Sequence, residues 1–419
     1  MARTSPSLLR SLRHRNFRLF FAGQSVSLIG TWVTLLATSW LVYRLTSSAF
    51  LLGLVGFCSQ IAMFFLGPIA GVFVDRWDRR RVLICTQALS AVQSATLAVL
   101  TLSGVITVWQ VLVLQLAQGV IHAFDTPARH SFIISMLDDR ADLSNAIALN
   151  SIMVNGSRIV GPAVGGALVA AVGEGWCFAL DAVSYLAVIG SLVAMHVPRR
   201  EPAPAAELIT AQLAAGYRYV RSFAPIRTAL LLIAAVSMFG VPHSVLMPVM
   251  ASDILGGGSY TLGMLIASFG LGALTGAVYL ASRSTVVGLG RAIAFSTLMY
   301  GAGLVAFALS RSLYLSMPLL LLAGTGYMTA IAASNTFIQT LVQEDLRGRV
   351  MAFYTMAFLG TTPIGSLVAG AVAEQVGAPV TIAGGGILCI VTSVWFWRQL
   401  PALRAVVRPI YIERGILTP

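Results

Sequence analysis

Long apolar stretches alternate with short charged turns along the whole chain. Each stretch runs for about 20 residues or more, the length an α-helix needs to cross a hydrocarbon core ~30 Å thick. In lipid, backbone N–H and C=O groups must be satisfied within the segment, so these runs are read as helices. The pattern predicts spans at 17–43, 50–74, 81–104, 107–126, 145–172 and 175–196. A second set follows at 226–252, 259–282, 289–310, 314–338, 349–376 and 380–398.

The polar stretch 197–224, with Pro198, Pro202 and Pro204, divides the two sets. The expected domains are therefore an N-terminal bundle at 1–196, a linker at 197–224, a C-terminal bundle at 225–400 and a tail at 401–419. Within the linker, Glu207 to Arg221 predicts an amphipathic helix on the membrane surface. The fold class is an all-α polytopic membrane protein with about twelve transmembrane helices in two bundles of six. The first apolar run is too long for the core of a signal peptide and is read as the first span.

Composition agrees. The 419 residues are 57% hydrophobic and 10% charged, with mean hydropathy +0.85; a soluble domain has about 25% charge. The net charge of +12 comes entirely from Arg, since the chain has no Lys. Those arginines flank apolar runs, which points to orientation in the bilayer and away from nucleic acid. The N-terminus, the loops near 75–81, 126–142, 197–224 and 344–349, and the tail hold most of them. That side is read as cytoplasmic, with both termini there, in the cytoplasmic (inner) membrane. Without Lys there is no Walker A loop, so the chain is not itself an ATPase of that kind. Cys58, Cys85, Cys177 and Cys389 lack metal-ligand spacing and are read as buried free thiols. No enzyme, cofactor or metal centre is expected.

One turn stands out. From Asp75 to Arg81, six of seven residues are charged, which hydrocarbon cannot accommodate. Gly71-x-x-x-Asp75-Arg76-x-x-Arg79-Arg80 resembles the signature loop between the second and third helices of the major facilitator superfamily, with Asp78 where that family usually has a second Gly. The two halves also look like a diverged repeat. Leu137-Asp-Asp-Arg-Ala-Asp precedes the fifth span and Val342-Gln-Glu-Asp-Leu-Arg-Gly-Arg precedes the eleventh, as expected of two parallel six-helix halves. Arg13-His-Arg-Asn-Phe-Arg18, Asp125-Thr126-Pro127-Ala128-Arg129 and Leu346-Arg-Gly-Arg are similar to the branch of enterobactin exporter-like and macrolide efflux-like transporters.

The resemblance implies roles. Gly71, Asp75, Arg76, Arg79 and Arg80, with Asp125, Arg129, Arg347 and Arg349, are the implied conformational latch. Asp75 would accept from the start of the eleventh helix and stabilise the outward-facing state. Gly71 is read as permitting close backbone approach. Gly161-Pro162-Ala-Val-Gly165-Gly166 resembles the antiporter motif of exporters, although Met153 and Ser157 stand where earlier glycines are usual. The fourth span has Gln118-Gly119, but Gln115 replaces the Arg found in drug–proton antiporters.

Polar stripes mark candidate substrate or proton pathways. The first span places Gln24, Ser27, Thr31, Thr34 and Thr38 on one face; the fourth places Gln115, Gln118, His122 and Asp125. Thr325, Thr329, Thr336 and Gln339 do so on the tenth, and Ser237 and Ser244 weakly on the seventh. They line a cavity or hydrogen-bond helix to helix; a similar stripe of Thr86, Ser90 and Gln93 on the third span keeps the second reading open. Arg158 and Asp181 fall at similar depths on neighbouring spans and predict an ion pair, either a strut or a proton-coupling element. His122 and His243 are further protonatable candidates.

The reading is a secondary transporter that exports a small amphipathic molecule, drug-like or siderophore-like, by alternating access. Protons are the expected coupling ion, the bilayer and a small-molecule substrate the partners, with no nucleic acid, and a monomer the working unit. The alternatives are an uptake permease for a metabolite, a receptor with the same fold and no flux, or a membrane subunit serving an ATPase.

Overall fold

The computed structural model describes residues 9–137, 139–196 and 209–417, and every regular element among them is helical. In chain order the helices are α1 Arg15–Thr46, α2 Ala49–Arg76, α3 Arg79–Leu102, α4 Val108–Phe132, α5 Leu143–Val172 and α6 Glu174–Ala194. Then come α7 Ile209–Ser222, α8 Ala224–Ile254, α9 Ser259–Ala281, α10 Leu289–Leu309, α11 Leu313–Leu341, α12 Glu344–Val376 and α13 Ala378–Glu413. Eleven of the described helices are long and apolar enough to cross a membrane. α4 has the length, at 25 residues, but Gln110, Gln115, Gln118, His122 and Asp125 dilute its apolarity.

Several bounds differ from the sequence pattern. The last helix does not stop near 398: it continues to Glu413 through Pro401 and Pro409. Leu400, Leu403, Val407 and Tyr411 recur at three- and four-residue spacing and stay buried, so one apolar face continues past the span. Arg414 then donates to the carbonyls of Thr340 and Val342 at 2.8 and 3.0 Å. α8 and α12 are not uniform α-helices. α8 contains π-helical turns at Val236–Gly240 and Met250–Ile254 around a 3₁₀ stretch, and α12 has one at Met356–Gly360. Pro242 and Pro248 remove two donors from α8's ladder. The four cysteines are free, but only Cys177 and Cys389 are buried; Cys58 is half-buried and Cys85 exposed. Part of the linker is helical, as α7 Ile209–Ser222, and residues 197–208 lie outside the described residues.

The chain divides into two compact units. One comprises Met1–Thr46 and Cys58–Ala205, the other Ser47–Phe57 and Ala206–Pro419.

In the first unit, α1 packs on α5 and α6, and α3 on α4 and α6. Phe17, Phe20, Leu83, Phe132, Met136 and Leu192 form a buried cluster. Ahead of α1, the 3₁₀ turn Arg10–Arg13 docks on the start of α5. There Ser11 Oγ donates to Asn145 Oδ1 at 2.7 Å and to the Asp142 carbonyl at 3.1 Å. Arg10 and His14 both reach the Asp142 carboxylate.

In the second unit, α11 packs on α9 and α10, and α10 on α13. Ile293, Tyr300, Leu304, Phe307 and Phe396 are fully buried. The opening turns of α2 belong here by packing. A Cβ at Gly53 would lie 2.9 Å from Gly370 Cα, and one at Gly56 2.8 Å from Val245 Cγ1. Glu374 on α12 accepts from Ser48 Oγ at 3.1 Å and from Phe50 N at 3.0 Å, satisfying a free N–H at the start of α2.

Candidate functional site

α3 carries Thr86, Gln87, Ser90, Gln93 and Ser94 on one face, and all five are buried. Polar side chains on a membrane helix need partners inside the protein, and here they are two carboxylates and a row of amides. Asp125 on α4, 2% exposed, accepts from Thr86 Oγ1 and Gln87 Nε2, both at 2.8 Å. Its other oxygen meets Arg129 one turn later at 2.6 Å. Two turns earlier, Gln118 Nε2 donates to Ser90 Oγ at 3.1 Å and lies 3.0 Å from His122 Nε2. Gln115 reaches across to Thr38 of α1 at 3.3 Å. Further along α3, Ser94 donates to Asp181 of α6 at 2.8 Å, and Ser184 lies 3.4 Å from the same carboxylate. The α3 stripe is thus a hydrogen-bonded spine joining α4 to α6.

The ion pair expected between Arg158 and Asp181 is not formed. Asp181, 1% exposed, is enclosed by Ser94, Ser184 and the backbone at Gly30, where an added Cβ would come within 2.6 Å of Oδ1. Arg158 is half-buried and places its guanidinium 5.3 Å from the centre of the Trp32 ring on α1. Asp181 faces α3 and the α1 backbone at Gly30, whereas Arg158 turns to Trp32. The glycines of the exporter-like motif explain how Trp32 gets there. A Cβ on Gly161 would collide with Cβ of Trp32, and one on Gly165 would lie 3.1 Å from Val33 Cα. Gly161, Pro162, Gly165 and Gly166 are all buried, and Gly161 and Gly165 lie on the face of α5 that receives α1. Elsewhere on α1, Gln24 is buried and Thr31 donates back to the Ser27 carbonyl at 3.0 Å.

In the second unit, His243 sits in the 3₁₀ stretch of α8, with Nδ1 donating to the Gly240 carbonyl at 2.8 Å. Its ring packs 4.8 Å from Phe269 and 6.0 Å from Tyr300, centre to centre, and Tyr327 completes the cluster. On α11, Thr325 bonds Thr275 of α9 at 3.1 Å and Thr329 reaches the Gly276 carbonyl at 3.4 Å, so this part of the stripe joins helices. Gln339 bonds its own neighbour Asn335.

In the signature loop, Asp78 caps α3: it accepts from Arg80 N at 3.0 Å and Arg81 N at 3.3 Å. The substitution for glycine therefore supplies a helix cap. Arg80 donates to the carbonyls of Leu192 and Val193, both at 2.8 Å, and so satisfies the C-terminal end of α6. Arg79 reaches the Ser131 carbonyl at 3.4 Å. Arg76 and Arg347 are exposed, and Arg349 packs against Gly216 of α7. Among the described residues no close approach is made at Gly71, where a Cβ would meet nothing within 4 Å. The side chain of Asp75 lies outside the described part of the structure.

Sequence reading missed Trp32, Gln87, Ser94 and the Asp142 cluster. The first is one apolar-looking residue in an apolar run. Gln87 and Ser94 extend the α3 stripe at helical spacing and were visible in principle. His14 and Asp142 are 128 residues apart and no local signal joins them.

The comparisons with known proteins follow this architecture. The family model described as "Transmembrane secretion effector" matches residues 6–408. The chain is 23% identical to the staphyloferrin A transporter of Staphylococcus aureus over 91% of this chain and 95% of that one. It is 27% identical to the multidrug efflux pump Tap of Mycolicibacterium fortuitum, over 84% and 88% of the two chains. Among solved structures, a bacterial homologue of the human lysosomal transporter Spinster superposes with TM-score 0.68 at 14% identity, covering 98% of this chain and 99% of that one; that likeness concerns the fold. The family model spans nearly the whole chain, the helices are those of a membrane transporter, and the protein belongs to the transmembrane secretion effector family of the major facilitator superfamily.

Proposed function

We propose that this chain is a secondary active exporter of a small amphipathic molecule, working by alternating access. The observation that carries the reading is the polar interior of the first unit. Gln115, Gln118 and His122 are half-buried near the middle of α4, beside the spine of α3. Such groups are unfavourable against lipid and mark a pathway. Two relatives, one named a multidrug efflux pump and one a staphyloferrin A transporter, favour export of a small compound. The α1–α5 packing at Gly161 and Gly165 supports the same direction, because it gives the exporter-like motif a physical role.

In this reading Gly71, Asp75, Arg76, Arg79 and Arg80, with Asp125, Arg129, Arg347 and Arg349, set the balance between the access states. Gln24, Thr31, Gln115, Gln118, His122, Arg158, Asp181 and His243 serve substrate or proton movement. Protons drive export, a single chain suffices, and the protein lies in the cytoplasmic membrane with both termini in the cytosol.

The experiment uses purified protein in proteoliposomes with an imposed pH gradient and a labelled amphipathic drug. The expected result is gradient-dependent movement without ATP, abolished by a protonophore. Movement insensitive to the gradient would remove proton coupling; no movement of any tested compound would favour a receptor.

A further inference from the structure

Arg158 is the single charged residue of α5. It lies near the middle of α5, roughly 22 Å from either end at 1.5 Å per residue. A cation at that depth is costly unless it has a partner in protein or in a water-filled space. Yet among the described residues no carboxylate lies within ion-pair distance of it. Asp125 is taken by Arg129, and Asp181 by Ser94 and Ser184. The guanidinium lies 5.3 Å from the centre of the Trp32 ring, a contact that holds it in place but neutralises nothing. The guanidinium is not sealed in, because Arg158 is only half-buried.

Its surroundings on α5 are polar. Ser151, Asn155 and Arg158 recur at four and three residues and share one face, and Gly161 and Gly165, which pack on α1, follow Arg158 one and two turns later on the same side. Asn155 Nδ2 spends one N–H on the Ser151 carbonyl at 2.8 Å and keeps the other. A fixed fork of N–H donors beside a free amide N–H matches a carboxylate, which accepts two parallel hydrogen bonds from a guanidinium.

We propose that Arg158, seated on Trp32 and flanked by Asn155, is the binding contact for a carboxylate group on the substrate. The transported molecule is then an amphipathic carboxylic acid, and the missing counter-ion of Arg158 is the substrate itself. That it is carried outward rests on the export reading; that it binds does not.

The test is equilibrium binding of dansylaminoundecanoate, an amphipathic carboxylate with an environment-sensitive fluorophore, to the detergent-purified full chain. Its neutral amide is the matched control. The carboxylate is expected to bind at least about tenfold more tightly than the amide. Arg158→Gln should remove that preference while leaving amide binding unchanged, which also shows that the variant is folded. Arg158→Lys should keep part of it, and Trp32→Leu should weaken the preference about threefold by releasing the guanidinium. Equal binding of the two probes to the wild-type chain, no saturable binding of the carboxylate, or a preference that survives in Arg158→Gln would overturn the proposal. Because no flux is measured, the export reading can fail while this site stands, and the reverse.

Discussion

The Asp181 carboxylate takes its hydrogen bond from the Ser94 hydroxyl at 2.8 Å and not from a guanidinium. A buried acid held this way depends on neutral donors, each of which matters because nothing else can replace it in the bilayer. Ser94→Ala is expected to lower stability by about 1–3 kcal/mol, the range for an unmet buried polar group. Ser94→Thr, which keeps the hydroxyl, should lose far less. Thermal unfolding in detergent measures both, and equal midpoints for the two variants would contradict the role given to Ser94.

The Asp125–Arg129 pair makes a sharper prediction. Removing one partner of a buried ion pair costs about 3–5 kcal/mol, and here Thr86 and Gln87 also lose their acceptor. Asp125→Ala should therefore be the most destabilising single change in the α3–α4 spine. Asp125→Asn keeps an acceptor for Thr86 and should fall between it and wild type. Unfolding midpoints that rank Asn below Ala would show that charge, and not hydrogen bonding, dominates.

What the sequence made legible follows from locality. The spans were readable because each is a continuous apolar run, and the α4 stripe because helical spacing puts Gln115, Gln118, His122 and Asp125 on one face. The stripe on α3 was readable too, but its meaning was not. Only packing shows that its partners are Asp125 and Asp181. The pairing expected for Arg158 failed for the same reason: depth can be counted along a helix, whereas rotation depends on which face the glycines give to α1. The irregular turns of α8 were hidden, since Pro242 and Pro248 signal a break without saying how it is resolved. The capping by Asp78 was legible in principle, because Asp before a run of helix formers is a cap signal.

Glycines in α5 should differ sharply in their tolerance of a methyl group. Gly161→Ala places a carbon against Trp32 and must push α1 from α5, with a loss of about 1–3 kcal/mol. At Gly156 a Cβ would meet nothing within 4 Å, so Gly156→Ala should stabilise the helix by about 0.5–1 kcal/mol. The two variants are compared by unfolding midpoint, and by quenching of Trp fluorescence for displacement of Trp32. Similar behaviour of the two would mean that the α1–α5 contact is not close.

The loop arginines divide in the same manner. Arg80 satisfies two carbonyls at the end of α6, while Arg76 is exposed. Arg80→Ala should reduce stability by about 1–2 kcal/mol, and Arg76→Ala should leave it within about 0.5 kcal/mol. If the latch reading holds, Arg76→Ala nevertheless slows transport. Wild-type flux in Arg76→Ala proteoliposomes would remove that residue from the latch.

The central claim is outward movement of an amphipathic compound, and intracellular accumulation measures it most directly. Cells lacking their own exporters, with and without the chain, are loaded with a panel of radiolabelled amphipathic acids, neutral drugs and siderophores. The account predicts lower steady-state accumulation of at least one amphipathic acid in cells carrying the chain, restored by Arg158→Gln. Accumulation that is unchanged across the panel, or raised by the chain, would contradict it.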